Sequence, residues 1–133
     1  MPPLILHHTA NLDGFDAEAA LVAVNRVLVD SGRFEEVAIK SRALALDHDR
    51  IGSRDDGHGF VHATLKILPG RSADTRTALG RAVHDALASC LPPLVLHCQL
   101  CVEVVELDAA TYTKSTHAPT ACRRPVHDRS VHR

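Results

Sequence analysis

Phe60-Val61-His62-Ala63-Thr64-Leu65-Lys66-Ile67 alternates without a fault, with Val61, Ala63, Leu65 and Ile67 on one side and Phe60, His62, Thr64 and Lys66 on the other. A period of two is the signature of a strand with one buried face. Pro69-Gly70 breaks the run, and from Ser72 the apolar spacing changes to Leu79, Ala82, Val83, Ala86, Leu87 and Cys90, one stripe of a helix that Pro92-Pro93 ends. Val95 to Leu107 returns to period two, placing Leu96, Cys98, Leu100, Val102 and Val104 opposite His97, Gln99, Cys101 and Glu103. Strand, helix and strand in this order predict a βαβ unit with parallel strands and a right-handed crossover.

The same order precedes it. Leu4 to His8 is a short apolar run, and Asp16 to Ser31 carries Ala17, Ala20, Leu21, Val24 and Leu28 at helical spacing, with Asp16 to cap its start and Gly32 its end. Val37 to Leu46 reads as a strand on which Lys40 and Arg42, two residues apart, share a face. The polar, glycine-bearing stretch Asp47 to Gly59 is the loop between the halves. The expected fold class is therefore α/β (α+β): two consecutive βαβ units, a four-stranded sheet, and two helices on one face. The other face, with His62, Lys66, Gln99 and Glu103, is too mixed for a core, and an oligomer could bury it.

Charge and composition narrow the function. Lys and Arg number 15 against 16 Asp and Glu, so no global field draws nucleic acid or a membrane surface. MPPLILHHTAN lacks the basic start and apolar run of a secretion signal, and no stretch approaches the roughly 20 apolar residues of a membrane span, so the expected location is cytoplasmic. The cysteines (Cys90, Cys98, Cys101, Cys122) are then expected as reduced thiols. Cys98 and Cys101, three apart on a strand, should point to opposite faces and cannot clasp one zinc ion. His7 and His8 likewise diverge, and the 10 histidines show no compact ligand spacing, so no metal is expected. From Ser115 the chain loses periodicity and turns basic, so residues 1–114 are read as the domain and 115–133 as a mobile tail.

The string Phe60 to Ile67, with Gly70-Arg71-Ser72 and Arg76, resembles the middle of 5-carboxymethyl-2-hydroxymuconate isomerases, a family of the tautomerase superfamily. Pro2, Val24-Asn25, Gly32 with Phe34, Ser41-Arg42 and Glu106-Leu107 support it. The resemblance implies the tautomerase fold, a homotrimer, and a 1,3-proton shift in an unsaturated α-keto di- or tricarboxylic acid from aromatic-compound catabolism, with neither cofactor nor metal. It implies Pro2 as the proton-transferring residue after loss of Met1, with Arg71, Arg42 and Lys40 binding the acidic substrate. His7 departs from the family's glutamate, and Lys40 from its arginine.

Such residues suit the chemistry. A secondary amine freed of its proton can accept one from carbon, and burial beside cations lowers its pKa toward neutrality. The same cations stabilise the dienolate formed when that proton leaves. Arg71 stands where the second helix begins, where free backbone N–H groups also favour an anion. His62 reads as a hydrogen-bonded interface residue rather than a second acid or base. Pro3 is the obstacle: if it hinders removal of Met1, Pro2 stays an amide with no basic lone pair, and the alternative is a non-catalytic trimeric small-acid-binding protein. A histidine-rich metal-handling protein is a third and weaker alternative.

Overall fold

The computed structural model describes residues 1–53 and 56–120. Its elements are β1 (Pro3–Thr9), α1 (Ala17–Asp30), β2 (Lys40–Leu46), β3 (His58–Ile67), α2 (Ala73–Ser89) and β4 (His97–Glu106). The strands form one sheet in the order β2-β1-β3-β4. β1 runs parallel to β2 and β3 parallel to β4, as two βαβ units require, while β1 and β3 meet antiparallel at the centre.

Alternation becomes burial. Val61, Ala63, Leu65 and Ile67 are all buried, and they join Leu4 and Leu6 of β1 beneath Ala20, Val24, Leu28, Leu79, Val83 and Leu87 of the two helices. Both helices lie on this face and touch one another, α1 over β2 and α2 over β4. Asp16 caps α1 by accepting from the Ala19 N–H at 3.1 Å, and Ser72 caps α2 by accepting from the Thr75 N–H at 3.1 Å. On the bare face His62 Nε2 lies 2.8 Å from Glu103 Oε2, the hydrogen-bonded role expected of that histidine. Cys98 faces the helices, half-buried, and Cys101 is exposed on the other side. Burial pushes the Cys98 thiol up, away from the thiolate a metal would need.

Two boundaries differ from the periodicity. β2 begins at Lys40, because Glu36–Ala38 winds into a 3-10 turn closed by Ala38 N–H to Glu35 O at 3.0 Å and Ile39 N–H to Glu36 O at 3.1 Å. Val37, 82% exposed, has no apolar surface to pack on, whereas Ile39 just after it enters the core. Val95 lies outside β4, fully exposed. Past the short turn Ala109–Thr111, residues 112–120 form neither helix nor strand; the rest of the expected tail lies outside the described residues.

Candidate active site

Antiparallel pairing of β1 with β3 decides what meets at one end of the sheet. Leu4 stands opposite Leu65, so the start of β1 lies beside the end of β3. Pro3 pairs with Lys40, which adds the start of β2, and the Leu107 N–H donates to Ile67 O at 2.8 Å, which adds the segment after β4. Four distant stretches, the chain start and residues 33–40, 67–71 and 107–114, therefore converge.

They enclose a cavity of about 240 Å³. Phe34, Ile67, Leu68 and Tyr112 form its apolar wall, and Met1, Arg33, Arg71, Lys114 and Glu35 its polar one. Pro2 is fully buried behind Met1, with its carbonyl accepting from the Lys40 N–H at 3.1 Å. The Met1 amine is held below the usual α-amino range of about 8, first by desolvation and then by the Lys40 and Lys114 charges.

Local sequence explains how the cations are aimed. Ser31 closes α1, its Oγ donating to Leu28 O at 2.6 Å and accepting from the Arg33 N–H at 3.2 Å. Between them Gly32 turns the chain at φ +71°, a conformation that side chains disfavour. Arg71 follows Gly70, at φ +118°. Its guanidinium donates from Nη2 to Arg33 O at 2.9 Å and lies 4.8 Å above the Phe34 ring. Asp108 accepts from the Ala110 N–H at 3.0 Å, closing the turn that brings Tyr112 and Lys114 over the cavity.

Of the residues singled out in the sequence, Arg71 lines the cavity, Pro2 lies directly behind it, and Lys40 stands at its edge. The Lys40 ammonium donates to Val37 O at 3.1 Å and Ala38 O at 3.3 Å, near enough to the chain start to depress its amine. Arg42 lies elsewhere. It pairs with Ile5, about 7 Å further along β2, and does not line the cavity. The first N–H groups of α2 do not line it either, and one of them is taken by Ser72, so Arg71 acts there through its side chain. The sequence reading passed over Arg33 and Lys114 as ligands. The helix-stopping Gly32 next to Arg33 was the available signal, but nothing in the sequence brings residue 114 back to residue 1.

A wider groove of about 780 Å³ opens on the bare sheet face beside His58, Phe60, His62 and His97. It is larger, but among the described residues no chain end lines it and Arg50 is its one Lys or Arg. Among the described residues no three His, Cys, Asp or Glu side chains are grouped to hold a metal, and no helix is long and apolar enough to cross a membrane.

Comparison with known proteins bears on the fold and on the family. The crystal structure of a 5-carboxymethyl-2-hydroxymuconate isomerase from Deinococcus radiodurans R1 is similar at 27% identity, covering 87% of this chain and 90% of that one with a TM-score of 0.76. That of a 5-carboxymethyl-2-hydroxymuconate delta-isomerase is similar at 22% identity, covering 88% and 89% with a TM-score of 0.74. A fused 4-OT symmetric trimer shares the fold at 16% identity, covering 78% and 85% with a TM-score of 0.61. Among curated proteins, none matches the chain by sequence. The family pattern of 5-carboxymethyl-2-hydroxymuconate isomerase, however, matches residues 2–120, and the chain belongs to that family.

Proposed function

We propose that the protein is a cofactor-independent isomerase that moves a proton within an unsaturated α-keto di- or tricarboxylic acid resembling 5-carboxymethyl-2-hydroxymuconate, formed in aromatic-compound catabolism, with Pro2 as base and acid. Family membership and the tautomerase-like fold support an isomerase of tautomerase type. The observation that carries the finer reading is an amine of lowered pKa in a cavity lined by Arg33, Arg71 and Lys114.

Removal of Met1 would move the amine inward by one residue, onto a proline that is fully buried, where desolvation acts more strongly. The neutral nitrogen takes a proton from the carbon between the carbonyl and the double bond. The electron pair left behind spreads into a dienolate, which Arg71, Lys114 and Lys40 stabilise. Pro2 then returns the proton two carbons away, so one proton leaves and one arrives. Arg42 stands outside the cavity and contributes charge from the same strand as Lys40. The reading includes a cytoplasmic homotrimer in which further copies cover the bare sheet face.

A second reading has its own support: with Met1 retained, the buried Pro2 nitrogen is an amide, and the cationic cavity serves a non-catalytic small-acid-binding protein. Intact mass decides between them, together with turnover of an unsaturated α-keto diacid. Proline catalysis predicts loss of one methionine and, in Pro2→Ala, a fall in kcat of about a hundredfold or more with KM little changed. Retention of Met1 or an undiminished variant would end it.

A further inference from the structure

We infer that Arg33 is a specificity-determining residue, forming a second carboxylate subsite that makes the cavity select diacids over monoacids. The inference rests on the preceding reading only for the choice of α-keto acids as ligands. Arg71 is already constrained, one N–H committed to Arg33 O at 2.9 Å and one face lying over Phe34. What remains of its planar fork suits one carboxylate. Arg33 is fixed only through its backbone, by Ser31 Oγ and Arg71 Nη2, and its guanidinium has no carboxylate or carbonyl partner among the described residues.

The bond from Arg71 to the Arg33 carbonyl keeps two cationic residues side by side on one cavity wall. Lys114 adds a third, and Glu35 is the only carboxylate among the described residues that line the cavity. These three cationic side chains against that one carboxylate leave two positive charges uncompensated, the complement of a dianion. No side-chain ion pair joins Glu35 to any of the three. Arg71 takes the carboxylate beside the keto group, and Arg33 the distal one.

Calorimetric titration of the whole protein with 2-oxoadipate and with 2-oxohexanoate, equal in chain length but differing by one carboxylate, tests this without any turnover. The parent is expected to bind the diacid about tenfold or more tightly than the monoacid. Arg33→Ala should remove that preference while holding monoacid affinity within about twofold, and Arg33→Lys should restore part of it. Arg33 is exposed, so both variants should fold, and thermal melting will confirm it. A parent with no diacid preference, or an Arg33→Ala variant that keeps one, overturns the inference. Failure of proline catalysis would appear instead as absent isomerisation with diacid binding intact.

Discussion

Lys40 makes two kinds of contact with very different weight. Its ammonium satisfies the Val37 and Ala38 carbonyls, which are exposed enough for water to replace it, but its charge also bears on the chain-start amine. A positive neighbour disfavours the protonated amine, so the pKa falls and the neutral base persists to lower pH. Lys40→Gln keeps a donor for the carbonyls and removes the charge. Its amine pKa should rise, and the acidic limb of the kcat/KM profile should move to higher pH. A limb that stays in place would show that desolvation, the larger cause, suffices with Lys114 and without Lys40. Lys40 and Arg71 were singled out through the family resemblance, and of the two only Arg71, next to a helix start, had a local reason in the sequence to attract an anion. For Arg33 the neighbouring Gly32 was the one local signal, since its place beside Arg71 comes from a hydrogen bond between residues 38 positions apart.

Among the elements, β3 is the one on which most depends. It pairs on both sides and buries every second side chain, which is why its pattern in the sequence is so regular. Leu65 is wholly buried beneath both helices, and its truncation leaves a cavity that a close-packed core cannot readily fill. Leu65→Ala should cost about 2–5 kcal/mol in urea unfolding. A loss under about 1 kcal/mol would show a looser core. β2 shows the limit of the same reasoning: Val37 and Ala38 extend its run with apolar residues, yet their backbone turns, because two apolar residues at a strand end are equally compatible with a 3-10 turn. Period reveals the body of a strand, while its ends are set by the carbonyls and side chains that meet there.

In the whole molecule, the bare sheet face is the feature least suited to an isolated subunit. His62, Lys66 and Gln99 lie across it, and the 2.8 Å contact from His62 to Glu103 orders two of its polar groups. Sedimentation equilibrium at micromolar concentration should find three subunits, and a stable monomer would remove the trimer from the proposal. Periodicity could identify this face, but it could not supply strand order. Either β1 or β2 could have met β3, and only the three-dimensional packing puts the two first strands together, head to tail.

That central pairing relates the two halves by an approximate twofold turn, carrying the start of β1 to the start of β3 at the opposite end of the sheet. Strand, helix and strand recur there, but His58 is joined to Gly57 by an ordinary peptide bond, whose nitrogen has no basicity. Architecture can be repeated within one polypeptide, whereas an amino terminus occurs once. Chemistry that depends on that terminus is therefore limited to one centre per subunit, and its twin position is free to diverge.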